Sequence, residues 1–331
     1  NNLDTLQKSG KIFEYWSHAA AYLPIQHYAY SLPRMHAFAS GRKHWFPRNP
    51  KTMQYVLDRI KAEGPLMSKD FKPLPGKKSG IWWDWKPAKI ALEQLFHEGK
   101  LMVSHRKKFQ KVYDLRENVL PSTVSTQTPS EPAYCLHLIR NTLQAHGIVN
   151  LHQIGYLRRG IKKTLQQGLT DLVHRGELQE IALENIPEPY YILSASLSKP
   201  LPSIPIDPLP LHILSPFDNL IIQRDRLQQL FNYDYKLECY VPSAKRLYGY
   251  FSFVLLYGDT IVGLLDPKAD RKTGIFHIKQ LHLTNFPVHL DKQLFMVTFR
   301  KKLSDWVHFN RCSQLHYSVS AQKSLATFLL L

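Results

Sequence analysis

A carboxylate and an imidazole lie four residues apart near the start of the chain, in the segment Glu14-Tyr15-Trp16-Ser17-His18. In a helix this spacing puts the two side chains on one face. A pair of this kind could orient a water molecule or bind a sugar-phosphate. A solvated or purely structural pair explains the same residues equally well, so the pattern alone leaves both interpretations open.

A second acidic candidate, Asp218, follows the strand-like run that ends in Ser215-Pro216-Phe217. Its carboxylate either projects into a cleft or caps the helix that follows. The sequence does not separate these two roles. We therefore treat Glu14, His18 and Asp218 as candidate residues of a catalytic pocket.

The charge of the chain indicates an anionic partner. Lys and Arg number 43 against 26 Asp and Glu, which gives a formal net charge of +17. An excess of this size cannot be paired internally, so it creates a positive field that attracts phosphates or anionic lipid. The alternative is a basic protein that is merely soluble.

Several classes of protein are disfavoured by the sequence. No apolar run approaches the roughly 18 residues that span a bilayer, and the chain opens without a secretory leader. The cysteines Cys135, Cys239 and Cys312 are far apart and form no CxxC pair, so neither a zinc site nor a disulfide framework is indicated. We expect reduced thiols in the cytoplasm, no metal, no other cofactor and no membrane partner.

The basic side chains that we expect to bind phosphates fall on a few short segments. In one of them Trp82, Trp83 and Trp85 lie beside Lys86 and Lys89, although at least one of the three rings is expected to be a core anchor. A turn at Lys268–Gly274 either presses into a minor groove or simply aids solubility. The predicted contact residues are Arg34, Lys77, Lys78, Lys86, Lys89, Arg106, Lys107, Lys108, Lys245, Arg246, Lys268, Arg271 and Lys272.

The elements that would position these residues follow a repeated order. Between 51 and 115, apolar residues at helical spacing predict a helix that ends at Gly64-Pro65, a short second helix, a third helix that ends at Gly99, and a hairpin. Three helices and a hairpin are typical of a winged helix, whose third helix enters the major groove. The same order recurs at 130–196, after a Ser/Thr/Pro-rich linker.

The C-terminal third has a different pattern. A proline-rich connector at 199–210 precedes three predicted strands at 248–256, 261–266 and 275–283. A helix at 291–309 would pack on them through Leu294, Val297, Leu303 and Val307. We therefore predict an α+β fold with tandem winged-helix modules, then a small antiparallel β-barrel-like domain with a C-terminal helix. The predicted domains are 1–50 (the remainder of a first winged helix), 51–120, 130–196 and 211–331.

Several motifs together resemble one known family over residues 11–280. They include Glu14-Tyr15-Trp16-Ser17-His18-Ala19-Ala20, Trp82-Trp83-Asp84-Trp85-Lys86-Pro87, Phe109-Gln110-Lys111-Val112-Tyr113-Asp114-Leu115, Ser215-Pro216-Phe217-Asp218, Ala244-Lys245-Arg246 and Tyr248-Gly249-Tyr250. The chain is similar to the YcaQ-like, or AlkZ, family of winged-helix DNA glycosylases that repair interstrand crosslinks. The resemblance implies three winged helices, a C-terminal β-barrel, and removal of N7-alkylated purines.

The same resemblance carries further expectations about the site. The catalytic motif of the family, Gln-x-Asp or Gln-x-Gln, precedes the segment that Glu14 opens, so we expect it upstream of Asn1. Gln223-Arg224-Asp225 imitates this motif in a different region, and we interpret it as a coincidence at the start of a helix. Leu264 stands where members often carry Arg. The implied partner is duplex DNA carrying damage, bound by a monomer in the bacterial cytoplasm, near the nucleoid.

Two alternatives remain open at this stage. One is a DNA-binding protein without catalysis, such as a regulator or a degenerate paralogue. The other, weaker, is a basic protein that binds RNA.

Overall fold

The computed structural model describes residues 2–17, 19–71, 87–197, 209–283 and 286–330. His18, the basic segment with Lys77 and Lys78, the tryptophan segment with Lys86, and most of the proline-rich connector therefore lie outside the described residues. The chain divides into two compact units, Asn1–Leu138 and Ile139–Leu331. No helix within the described ranges is long and apolar enough to cross a membrane.

The first unit combines helices with two antiparallel hairpins. Short 3-10 turns lie at Ile25–Ser31 and Ser68–Asp70. Its elements are α1 (Asn2–Lys8), β1 (Ile12–Trp16), β2 (Ala20–Pro24), α2 (Leu32–Ala39), α3 (Pro50–Glu63), α4 (Pro87–His97), β3 (Leu101–Lys107), β4 (Gln110–Leu115) and α5 (Arg116–Val119), followed by α6 (Glu131–His146), within which the division between the units falls.

The helices and the hairpin predicted between 51 and 115 are present. The Asn49 side chain caps α3 by accepting a hydrogen bond from the Thr52 N–H, and Gly64 ends the helix with a positive φ. Val56 and Ile60 of α3 are buried in one core with Leu92 and Leu95 of α4. This core fixes the β3–β4 hairpin, because Leu101 and Val103 are buried in it as well.

The helix expected at Glu14–His18 is wrong. Ile12–Trp16 is a strand that pairs with β2, with Glu14 opposite Tyr22 and Trp16 opposite Ala20. The aromatic residues of this run favour extended backbone, and the rings of Phe13 and Tyr15 reach the core there. Glu14 therefore projects from a strand and not from a helix face.

The second unit contains helices and two sheets. Its elements are β5 (Ile148–Val149), α7 (Leu151–Ile154), α8 (Lys162–His174), β6 (Leu178–Leu183), β7 (Ile186–Leu193), α9 (Ser194–Leu197), β8 (Leu211–Leu214), α10 (Arg224–Phe231), β9 (Phe253–Tyr257), β10 (Thr260–Asp270), β11 (Ile275–Leu283), α11 (Lys292–Phe309), β12 (Gln314–Tyr317) and α12 (Val319–Leu330). The helices and the β6–β7 hairpin predicted between 130 and 196 are again present.

The larger sheet has five strands in the order β12-β11-β10-β9-β8. The sequence predicted the three central strands and a strand-like run before Asp218, where β8 lies, but it missed β12; both edge strands are only four residues long. β12 is parallel to β11, whereas the other neighbours are antiparallel. The strand predicted to begin at Tyr248 begins at Phe253 instead, because carboxylates hold the preceding backbone in a loop that is described below.

The long helix α11 packs on this sheet through a face that contains part of the predicted set, because Leu303 is buried and Val307 is partly buried against the same core. Phe295, Phe299 and Leu303 are buried in the core, whereas Val297 is 62% exposed. The buried residues are spaced by four, as one helix face requires. Large rings at these positions outcompete the smaller Val297 for burial.

Candidate functional site

Glu14 is a buried member of an ion pair. Its side chain is 3% exposed, and its Oε2 and Oε1 accept hydrogen bonds from Nε (2.9 Å) and Nη2 (2.6 Å) of Arg106. The Arg106 guanidinium also donates through Nη1 to the carbonyl of Phe109, at 2.7 Å. Arg106, which was predicted to bind phosphate, therefore uses all three nitrogens within the protein.

The tip of the β3–β4 hairpin carries the basic residues that remain exposed. Lys107 and Lys108 are exposed, and Lys108 has a φ of +58° at the turn. Lys111 is held instead by Glu93 at 3.5 Å and lies 4.4 Å from the centre of the Phe96 ring. Two of the three consecutive basic residues can thus reach a phosphate.

An aromatic cluster lies beside the strand that carries Glu14. Trp16 packs against Trp45, with ring centres 5.6 Å apart, and the Arg34 guanidinium lies 5.7 Å from the Trp16 ring centre. A cleft of about 360 Å³ adjoins the cluster, lined among others by Trp45, Arg48, Gln94 and Glu98. Gln94 is buried, and its Oε1 has no hydrogen-bond partner among the residues that the structure describes. An aromatic wall and a buried acceptor are features that suit a planar heterocycle.

His97 is enclosed by the same rings. Its ring centre is 5.9 Å from that of Trp16 and 5.6 Å from that of Trp45. Burial, with smaller contributions from His44, Arg34 and Lys111, lowers the pKa of His97 to about 3. The imidazole is therefore neutral in the folded protein at neutral pH.

Acidification is expected to destabilise the first unit through His97. The unfolded chain takes up a proton below the ordinary pKa of 6.5, whereas the folded form does not until about 3. The contribution of His97 to the free energy of unfolding is therefore fully present above pH 6.5. Below that pH it decreases by at most about 1.4 kcal/mol per pH unit. Urea unfolding followed by tryptophan fluorescence at pH 7 and pH 5 measures the loss.

The control for this effect is a histidine in a different setting. His97→Gln is expected to flatten the dependence on pH, while the exposed His308 replaced by Gln leaves it unchanged. If the free energy of unfolding changes equally with pH in wild type and in His97→Gln, the His97 imidazole is not held neutral in the folded protein.

Asp218 organises a turn in the second unit. Its Oδ1 accepts a hydrogen bond from the Leu220 N–H at 2.9 Å, and its carbonyl accepts from the N–H groups of Ile221 and Ile222. These contacts stabilise a turn and do not cap the helix that follows, since α10 begins at Arg224 with Gln223 as its N-cap. A role for Asp218 in a cleft stays a prediction. Asp218 and Glu14 belong to different compact units.

Gln223-Arg224-Asp225 lies at the start of a helix, as expected. Gln223 precedes α10 as its N-cap, and its Nε2 donates to the Gln153 carbonyl. The Arg224 guanidinium covers the Tyr235 ring at 4.4 Å.

A loop before β9 carries Lys245 and Arg246. Buried Glu238 accepts hydrogen bonds from the N–H groups of Leu247 and Tyr248, and buried Asp266 accepts from Tyr250. The hydrogen bonds to Glu238 lower the pKa of its carboxyl against the opposing effect of burial. The loop is therefore held away from strand pairing.

The same loop presents rings together with charge. Lys245 is exposed, and the Arg246 guanidinium lies 4.9 Å from the Tyr250 ring centre. Tyr240 is 89% exposed. The two cations were predicted from the sequence and the tyrosines were missed, although their spacing around Lys245 was a usable signal.

The β10–β11 hairpin carries the other predicted basic group. Lys268, Arg271 and Lys272 are exposed, and Arg271 donates to Asn310 Oδ1 at 2.7 Å. Asp270 accepts a hydrogen bond from the Lys272 N–H and shapes the turn. Lys89 lies on α4 and is half-buried.

A cavity of about 580 Å³ in the second unit is lined among others by Gln153, Gln223, Arg224 and Gln229. Behind it, Gln153 Nε2 donates to the Tyr190 hydroxyl, which donates to Gln229 Oε1. Buried Arg226 donates to Gln153 Oε1 and to two backbone carbonyls. No pattern in the sequence indicated this polar network.

Comparison with known proteins decides the family. The family model described as "DNA glycosylase AlkZ-like" matches residues 1–303. The chain belongs to the AlkZ-like DNA glycosylase family. The resemblance found in the sequence motifs is thereby confirmed.

A solved structure supports the fold of this AlkZ-like chain. The Streptomyces sahachiroi DNA glycosylase AlkZ superposes with a TM-score of 0.57 at 12% sequence identity, covering 96% of this chain and 84% of that one. The two share a mixed α+β fold with small sheets. Membership of a DNA glycosylase family implies that the chain binds DNA and takes part in DNA repair.

Proposed function

We propose that this AlkZ-like protein excises N7-alkylated purines from duplex DNA and unhooks interstrand crosslinks formed through such bases. The observation that carries the proposal is the family match across residues 1–303. The net charge of +17 supports a polyanionic substrate.

The proposed reaction is hydrolysis of one bond. Water adds to C1′ of the deoxyribose, and the bond from C1′ to N9 breaks. The bonding pair goes to the base and cancels its positive charge, while a proton from the water leaves to solvent. Because an N7-alkylguanine is cationic, it is already a good leaving group, and the protein need only position water and stabilise the developing oxocarbenium ion.

We assign supporting roles to the three candidate pocket residues. Glu14 acts by holding Arg106, and Asp218 by shaping its turn. His18 lies outside the described residues, and its role stays a prediction from the sequence. The cleft at Trp45 and Gln94 offers a cationic purine an aromatic face.

We propose that the DNA is held by two winged-helix modules, at 51–120 and 130–196, and by the hairpin of a barrel-like domain at 211–331. The order of helices and hairpins in each module supports this assignment. Arg34, Lys89, Lys107, Lys108, Lys245, Arg246, Lys268, Arg271 and Lys272 are the described basic residues proposed to contact it.

The substrate is tested with duplex DNA treated with a monofunctional methylating agent. We expect the protein to release free 7-methylguanine into the supernatant and to leave alkali-labile abasic sites in an otherwise intact strand. Release of other methylated bases alone would contradict the N7 assignment. Tight DNA binding with no released base would instead identify a non-catalytic DNA-binding protein.

Removing the two exposed lysines of the β3–β4 turn should weaken DNA binding electrostatically. For Lys107→Ala/Lys108→Ala we expect the slope of log affinity against log salt to become shallower by about 0.9 for each phosphate that the protein no longer neutralises. Fluorescence anisotropy with several duplex sequences measures it, and affinity should fall equally for each sequence. Lys301→Ala, at an exposed position on α11, is the control. Unchanged slope in the double variant would remove the hairpin from the interface.

A further inference from the structure

The tip of the β3–β4 hairpin exposes one aromatic ring almost completely. Phe109 is 92% exposed, in a two-residue turn next to Lys108. Single exposed apolar side chains are common on protein surfaces, so exposure alone does not indicate a function. The contacts that hold this turn in place do indicate one.

An ion pair between buried Glu14 and half-buried Arg106 fixes the backbone of the turn. The carbonyl of Phe109 accepts a hydrogen bond from Arg106 Nη1, and the other two guanidinium nitrogens are bound by Glu14 on β1. Lys107 pairs with Gln110 across the strands and closes the hairpin. The turn is therefore tied to the core of the first unit, and the ring projects from a rigid support.

The charge around the ring selects the partner. Lys107 and Lys108 precede Phe109, both are exposed, and neither forms an ion pair within the described ranges. An apolar ring beside two exposed lysines suits a partner that combines anionic groups with planar rings on which an aromatic side chain can stack. Duplex DNA offers both, since its phosphates flank its stacked bases.

We propose that Phe109 is a wedge that enters the base stack of duplex DNA, with Glu14 and Arg106 as the residues that position it. This proposal rests on the chain binding duplex DNA and not on excision of a base. Insertion costs the stacking energy of one step, so it is favoured where stacking is already weak. The wedge therefore gives the protein a preference for locally disrupted duplex.

The test compares an intact duplex with one that contains a single mismatch beside 2-aminopurine. Phe109→Ala should lower affinity for the mismatched duplex by about 10-fold, as expected when one ring no longer stacks on a base. It should weaken binding to the intact duplex less and leave the salt slope unchanged, because no charge is removed. Emission from 2-aminopurine should rise when wild type binds and stay low at saturating Phe109→Ala.

Two further variants separate a wedge from a general effect. Phe309→Ala removes a ring of the same type that is 83% exposed at the end of α11, and it should behave as wild type. Arg106→Lys keeps the charge but loses the fork that holds the turn, so the mismatch preference and the emission rise should shrink at constant salt slope.

Three results would overturn the proposal. In the first, Phe109→Ala prefers the mismatched duplex as strongly as wild type does. In the second, Phe109→Ala loses the same affinity for both duplexes. In the third, Phe309→Ala loses as much affinity for the mismatched duplex as Phe109→Ala. Excision of 7-methylguanine is measured separately, so a failed wedge and a failed glycosylase are distinguishable. Because the ring is exposed, the thermal unfolding of Phe109→Ala should match that of wild type.

Discussion

Replacing Arg106 with alanine is expected to lower the free energy of unfolding by about 3–5 kcal/mol. The Glu14 side chain is 3% exposed in the native protein, and after the substitution Lys111, at 3.8 Å, is its remaining cationic neighbour among the described ion pairs. An uncompensated charge at such a site costs more than the ion pair contributes. Urea unfolding followed by tryptophan fluorescence reports on this unit, because five of the six tryptophans precede residue 139.

Two comparisons isolate the buried charge. Lys107→Ala, on the same hairpin but exposed, should change stability by no more than about 0.5 kcal/mol. Replacing both Glu14 and Arg106 with leucine should recover much of the loss, because neither charge then remains buried. If the double variant loses as much free energy of unfolding as Arg106→Ala, the packing of the two side chains determines stability, and the unpaired Glu14 carboxylate does not.

Replacing Arg226 with alanine should destabilise the second unit by about 3 kcal/mol or more. Arg226 is buried, and its guanidinium donates to the carbonyls of His146 and Ile148 and to Gln153 Oε1. Truncation removes the Arg226 donor from each of these acceptors, leaves Gln153 Oε1 with only the Asn150 N–H among its described donors, and leaves a cavity in place of the side chain. Thermal or urea unfolding measures the loss, with Lys301→Ala as the exposed control.

A second readout checks the electrostatic part of this prediction. Burial, with the nearby Arg226 cation as a smaller cause, lowers the pKa of His146 to about 4. Removing Arg226 should let the pKa of His146 rise toward its ordinary value, which histidine NMR titration follows. A pKa that stays at about 4 would assign the shift to burial alone.

Helices with strong end signals could be predicted from the sequence. Asn49 and Gly64 bound α3, and Gly147 follows α6. Caps and glycines act on neighbouring residues, so their effect is visible in a short stretch of sequence. The order of helices and hairpins, and with it the resemblance to the family, followed from these local signals.

The errors arose where distant residues decide the structure. Glu14 and Arg106 are separated by 92 positions, so the sequence presented one as a helical acid and the other as a phosphate contact. The strand expected from Tyr248 failed for the same reason, because Asp266 binds the backbone at Tyr250. On α11, helical spacing was read correctly, but the size of Phe295 and Phe299 decided which face is buried.

We propose that this AlkZ-like protein cleaves the glycosidic bond of N7-alkylated purines even when the base is tied to the opposite strand. Such a base is difficult to flip fully out of the duplex, so attack must occur close to the helix. The most direct measurement is a denaturing gel of an N7–N7 interstrand-crosslinked duplex, labelled on one strand, incubated with the protein. We predict conversion of the slow crosslinked band to a single-strand band carrying an alkali-labile site. A crosslinked band that persists under conditions in which the protein saturates the DNA would contradict the claim.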